Sequence, residues 1–399
     1  MSRSREDTTV ARELRAARAP DEAVTEERAW EIVRSAYAAR PAPARRRLRP
    51  RLAIVPAVAL IVGVLALTPA GATVHRWIEQ TLGVRHARSE LFSLPAPGRI
   101  LVSGPGGAWT VASDGSRRRL GPWSQATWSS HGVYVAVASG NELRALDGRG
   151  VVRWSIARPD VRAPRWFAPD GYRIAYLSRD ALRVVAGDGT GDHLLAARVA
   201  PVAPAWEPGH PYVVAYAGSR EAVVVRDADT GHVAWARSGR DRVRLLQWSA
   251  DGSRLLALDR HSATVYDATG RIVARIPAPA DARDAALSPD GRTLALLAAG
   301  GVELIPLPDR ALPDRALPAG AVRPRQLFSG QGLRQLAWSP DGHWLLVSWP
   351  AANQWVFLRA TGRPRLLAVS RIAQQFSAGR GRAAFPTLDG WCCTAGGGA

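Results

Sequence analysis

The stretch Leu336–Trp349, LAWSPDGHWLLVSW, decides the fold. Pro340 fixes φ at the second position of a tight turn. Asp341 can bond its own backbone, and Gly342 supplies the φ > 0 that other residues resist. Trp344, Leu345, Leu346 and Val347 then form a run of strand formers. The unit reads strand, turn, strand, with a tryptophan just ahead of the turn. One hairpin is barely stable in water, so its face has to be buried against something else.

The chain supplies that partner by repeating itself. Counterparts of the motif are ATWSSHG at Trp128, PRWFAPDG at Trp166, PAWEPGHP at Trp206, LQWSADG at Trp248, AALSPDG at Leu287 and a worn QQFSAGRG at Phe376. With Trp338 in place, successive anchors lie 38, 40, 42, 39, 51 and 38 residues apart. The long gap holds DRALPDRALP, Asp309–Pro318, a tandem pentapeptide; without its ten residues the gap is 41, so it reads as a duplicated surface loop. A period near 40 with four short strands per repeat marks a β-propeller. A tryptophan in each repeat is most simply packed between blades, with its indole N–H on a carbonyl.

Each repeat has a second half of strand, loop, strand, turn and strand, as in YVVAYAGSR followed by EAVVVRDADTGHVAWA. The WSPDG units followed by LLVSW or IAYLS resemble the TolB-like and WD40-like propeller repeats of bacteria. The turn units LDGRGVVRW (Leu146–Trp154), RDADTGHVAW (Arg226–Trp235) and YDATGRIVA (Tyr266–Ala274) resemble repeats of PQQ-like propellers. The resemblance covers about residues 98 to 391. It implies a fold rather than a function, because propellers serve as scaffolds, receptors and enzymes alike.

The ends set the blade count. Residues 98–120 look like the later strands of a blade with no anchor before them. IAQQFSAGRGRAAF, Ile372–Phe385, looks like an anchor strand with little after it. Together they make one blade closed from both ends, which removes exposed sheet edges. Six complete units plus this shared one give an all-β, seven-bladed propeller over 98–391, with six or eight blades as the open alternatives. Residues 392–399 are expected to be a flexible tail, with Cys392 and Cys393 free or paired between molecules.

The front of the chain is different. Leu52–Val74, LAIVPAVALIVGVLALTPAGATV, is 23 residues without a charge. As a helix it would span about 35 Å, enough for a bilayer core. Arg45, Arg46, Arg47, Arg49 and Arg51 stand just before it with no acid among them, so the positive-inside rule puts residues 1–51 in the cytoplasm and the propeller outside the cell membrane. Ala70-Gly71-Ala72 resembles a cleavage site, but a leader of some 50 residues is far longer than a usual n-region. Residues 75–97 read as a juxtamembrane linker, made stiff by LPAPG.

In the tail, residues 21–40 have the acids of a helix start, an arginine end, and an apolar stripe of Trp30, Val33 and Tyr37. So short a tail builds little core, and the stripe is a candidate surface for a cytoplasmic protein. Short cytoplasmic helix, one span and external domain make a layout similar to membrane-bound anti-sigma regulators, without the Cys and His of their zinc-binding form.

Composition and motifs narrow the function. The net charge is +19, every basic residue is arginine, and +14 of it falls beyond residue 51. That favours anionic partners, yet no arginine cluster interleaved with aromatics appears in the propeller, which argues against nucleic acid. The eight histidines form no close pair for zinc, there is no G-x-S-x-G, and GDGTGD, Gly187–Asp192, lacks the length and closing Glu of a calcium loop. No catalytic, cofactor or metal residue is assigned. The expected protein is a non-enzymatic binding or sensor module that takes a protein, peptide or glycan at one mouth of the propeller. The alternative is a scaffold for envelope assembly or transport.

Overall fold

The computed structural model describes residues 84, 87–91, 93–167, 171–210, 212–219, 222–239, 241–309, 324–377 and 383–393. The expected span at 52–74, the tail stripe Trp30, Val33 and Tyr37, the arginines Arg45, Arg46, Arg47, Arg49 and Arg51, and all but the first residue of the duplicated loop lie outside them. Among the described residues no helix is long and apolar enough to cross a membrane.

Seven four-stranded antiparallel sheets follow one another. The chain starts with three strands of the closing blade, β1 (Arg99–Ser103), β2 (Ala108–Val111) and β3 (Arg117–Gly121). Blade 1 is β4 (Gln125–Trp128), β5 (Tyr134–Ser139), β6 (Glu142–Asp147) and β7 (Val152–Ala157). Blade 2 is β8 (Val161–Trp166), β9 (Arg173–Ser178), β10 (Ala181–Ala186) and β11 (His193–Ala196). Blade 3 is β12 (Ala205–Trp206), β13 (Val213–Ala217), β14 (Ala222–Asp227) and β15 (Val233–Ser238). Blade 4 is β16 (Leu245–Trp248), β17 (Arg254–Leu258), β18 (Ser262–Asp267) and β19 (Ile272–Pro277). Blade 5 is β20 (Asp284–Leu287), β21 (Thr293–Ala298), β22 (Gly301–Pro306) and β23 (Arg325–Ser329). Blade 6 is β24 (Gln335–Trp338), β25 (Trp344–Trp349), β26 (Gln354–Arg359) and β27 (Leu366–Ser370). The closing strand β28 (Thr387–Cys392) pairs with β1 and completes blade 7.

Each blade is covered on both faces by its neighbours, so its middle strands are apolar on both sides rather than alternating. All six residues of β25, WLLVSW, are buried. The core therefore lies between blades: Ala286 and Leu304 of blade 5 pack with Trp338, Leu345 and Leu358 of blade 6. The register of the two outer strands slips by a bulge in every blade except blade 6. A recurrent bulge adds twist.

Blade 7 corrects the expected anchor. Ile372–Gln375 is a one-turn helix, α1, not a strand. Phe376 follows it, buried between Trp109 (6.0 Å) and Trp355 (5.1 Å). Every other anchor pairs with the second residue of the next strand, as Trp128 does with Val135 and Trp338 with Leu345. In blade 7 that pairing belongs to Trp391, opposite Ile100. The physical reason is an insertion: α1 and the chain after it push the true anchor 53 residues beyond Trp338, and Phe376 fills an inter-blade pocket at the expected spacing.

Two further expectations change. Cys392 is a strand residue, and it is joined to Cys393 in a vicinal disulfide that occupies the place of the turn after the anchor. The linker is docked from Val84 onward: the Val84 amide donates to Gln354 Oε1 (2.9 Å), Arg88 bridges Val369, and Leu91, Leu94 and Ala96 are buried in the blade 6–7 core.

Candidate functional site: a cleft between blades 1 and 2

The repeat defines what an ordinary turn looks like. In blades 4, 5 and 6 the residue after the anchor is a serine whose hydroxyl donates to the turn aspartate: Ser249 to Asp251, Ser288 to Asp290, Ser339 to Asp341, at 2.5–2.6 Å. The same serine accepts the amide of the residue that starts the next strand or stands beside it, Arg254, Thr293 or Trp344. The aspartate also takes a backbone amide, as His343 gives one to Asp341. This lock closes the turn with side chains of its own.

Blades 1, 2 and 3 break the lock. Blade 1 keeps Ser129, which accepts the Tyr134 amide at 2.9 Å, but His131 stands where the aspartate would be. Blade 2 has Phe167 and blade 3 has Glu207 in place of the serine. Glu207 is buried, with His210 Nδ1 at 3.1 Å, and burial raises its carboxyl above the usual range.

Where blades 1 and 2 meet, beside His131, lies a cleft of about 770 Å³, against 480 Å³ for the equivalent cleft between blades 5 and 6. One wall is the Ser129–Tyr134 turn. The floor is Trp166, whose ring stacks on Tyr134 (6.2 Å between centroids, 23° between planes) and whose indole donates to the Gly171 carbonyl. Trp154, on β7, lies flat on the turn of blade 2: it donates to the Gly187 carbonyl at 2.8 Å, and any side chain at Gly189 would meet its ring. Tyr172, 62% exposed, stands at the rim.

Charges at the edge are fixed in place. Arg173 forks onto Asp229 (3.0 and 3.1 Å) and lies over the Tyr212 ring (4.5 Å). Arg153 pairs with Asp147 at 2.8 Å. The amide and hydroxyl of Thr190 hold the Asp188 carboxyl below the usual carboxylate range. Near by, Asp192 accepts from Tyr176 (2.6 Å) and pairs with Arg158 and Arg183 (2.6 and 2.7 Å), which ties blade 1 to blade 2.

Part of the exposed apolar surface lies at this rim. Among the described residues eight large apolar side chains are exposed, and three of them, Val133, Tyr134 and Tyr172, line the cleft. An apolar, aromatic surface with fixed charges at its edge has the make-up of a binding surface.

The other sites are structural. Inner-strand side chains lace the blades round the channel: Gln125 accepts the Ala163 amide, Gln247 that of Leu287, Asp284 that of Leu336, and Gln335 that of Leu388. Burial pushes Asp284 up to about 7 against two backbone amides, and Asp389 to about 7 against the Ser103 hydroxyl and the Arg165 charge. The anchors Trp128, Trp166, Trp206, Trp248, Leu287 and Trp338 each end an inner strand and are buried. Trp206 donates to Arg165 O (2.8 Å) and Trp338 to Ala286 O (3.1 Å), both across blades, but the indoles of Trp128, Trp248 and Trp391 have no acceptor among the described residues. Asp241, Asp259 and His261 bring ligand atoms within 4.8 Å of one another, but Asp259 is engaged by the amides of His261 and Ser262, and His261 by Asp241.

No family model matches the sequence, and no curated protein matches it significantly. Solved structures do match. Hsv2 of Kluyveromyces lactis superposes with a TM-score of 0.52 at 12% identity, covering 71% of this chain and 97% of that one. Hsv2 of K. marxianus gives 0.52 at 13%, covering 68% and 93%. The likeness is one of fold. It shows the propeller fold, and the cleft is read from the chain's own residues.

Proposed function

We propose that this chain is a non-enzymatic binding protein that carries its propeller outside the cell membrane on one apolar span, and that it grips a protein segment in the cleft between blades 1 and 2. The observation that carries the cleft is that exposed Val133, Tyr134 and Tyr172 line it beside His131, where blade 1 departs from the turn lock. Sequences break local rules where a site requires it. Stacked, already ordered aromatics lose little entropy on binding, which is why such surfaces make good anchors. The uncharged run at 52–74 and the arginines before it support the anchor. The layout, similar to membrane-bound anti-sigma regulators, and the Trp30–Val33–Tyr37 stripe support a role in signalling to the inside; the resemblance of the repeats to TolB-like propellers favours the scaffold alternative instead.

The test is a photo-crosslinking amino acid placed at Tyr172 in the full chain in cells, with Leu194, exposed on the outer strand of blade 2, as the control position. The expected result is a discrete protein adduct from position 172 alone, lost when Trp154→Ala removes one side of the cleft. Equal adducts from both positions, or none from 172, would sink the cleft as the binding surface.

A further inference from the structure

The rim of the propeller is unevenly charged. Each blade ends outward in an edge strand whose unpaired backbone groups invite another chain, and a charged side chain is the usual defence. Six of the seven edge strands carry at most one arginine. The edge of blade 7, β3, carries three in a row, Arg117, Arg118 and Arg119, all exposed. Defence of an edge does not need three charges of one sign.

This row meets the point where the chain enters the propeller. Gln375 accepts a hydrogen bond from Arg117 and donates to the Ser89 carbonyl at 3.3 Å, so β3 and the entry segment share one side chain. The Leu94 amide donates to Ser113 O at 2.9 Å. Arg88, exposed, sits on the bridge to Val369, and Arg371, exposed and at φ 58°, stands just ahead of α1. Along these segments five exposed arginines face two exposed acids, Glu90 and Asp114. Val74 ends the uncharged run, and Val84 is ten residues later, at most about 35 Å away even if fully extended.

The geometry points to an anionic lipid surface as the partner of this rim: the arginines of β3, with Arg88 and Arg371, lie against headgroup phosphates when the span is inserted. This rests on the membrane-anchored reading above. Guanidinium forks match phosphate oxygens. The attraction fades within about 8–10 Å of the surface, so only the rim beside the entry point can use it.

The test uses the full chain with vesicles of phosphatidylcholine alone or with added phosphatidylglycerol. Flotation reads the anchor, and hydrogen exchange along Arg117–Gly121 reads the rim. The expected result is flotation with both, and protection of β3 only with the anionic vesicles, lost at high salt. Arg117→Glu, Arg118→Glu and Arg119→Glu together should lower the docked-to-free ratio at least about a hundredfold. The matching Gln variant, which adds no acid, should lose protection too and decides the matter if the Glu variant does not fold. Equal protection in both vesicles, or protection by soluble polyphosphate without vesicles, overturns the lipid assignment. Flotation with anionic vesicles only, abolished by the Gln variant, upholds the rim and removes the anchor; flotation with neither removes both.

Discussion

Asp389 projects from the innermost strand of blade 7, with the Arg165 charge near enough to act on it, and burial still wins, pushing its carboxyl up to about 7. Asp284 behaves alike in blade 5. In the unfolded chain both would titrate near 4. Between about 4 and about 7 the folded chain therefore holds protons that the unfolded chain has released, so these two groups make stability fall as pH rises through that window. Asp389→Asn should leave the melting temperature at pH 4 nearly unchanged and raise it above that of the parent at pH 8. Parallel melting profiles from pH 4 to 8 would show that Asp389 does not titrate there. Trp338 makes a different prediction. It is 8% exposed, and its indole donates to blade 5. Trp338→Ala should cost about 3–5 kcal/mol, seen as a lower urea midpoint at unchanged slope.

Among elements, β28 matters most, because it alone joins the two ends of the described chain into one sheet. It pairs with β1 over five positions, and its Leu388 and Trp391 fill the blade 6–7 core. The vicinal disulfide adds little to this. It closes a loop of sequence separation 1, so it removes almost no freedom from the unfolded chain. Cys392→Ser with Cys393→Ser should shift stability by about 1 kcal/mol or less, whereas a chain ending before Thr387 should lose its cooperative unfolding transition. A large loss from the double serine variant would place closure in the disulfide instead. The seven blades and six of their anchors were legible in the sequence, because a tryptophan and a tight turn recur wherever the same inter-blade pocket and strand reversal recur. Trp391 was not, because the inserted helical turn moved it off the period while Phe376 fell on it. The cleft was half legible. His131, Phe167 and Glu207 stand in the repeat as departures from Ser and Asp, but only the fold shows that His131 lines the opening while Phe167 is buried against Trp206 and Tyr212.

For the whole molecule, the proposed anchor raises the question of which side of the membrane the propeller would occupy. The described chain is a closed ring of blades, entered where Val84 meets Gln354 of blade 6 and leaving at Cys393 beside the Ser129 turn of blade 1. The residues before Leu52 carry +5, with five arginines crowded against the uncharged run, and those beyond it carry +14. Charge next to a span sets orientation, while charge in a long domain that follows does not prevent its passage. The net charge of the propeller is therefore no argument for a cytoplasmic location, and the arginines at 45–51 are an argument against one. A C-terminally tagged full chain should stay with membranes at its full mass of 42.8 kDa. Protease added to intact spheroplasts should remove the tag, while an N-terminal tag survives until lysis. Protection of the C-terminal tag until lysis would put the propeller inside. The arginine rim would then face the inner leaflet, whose lipids are also anionic, and the partner of the cleft would have to be a cytosolic protein.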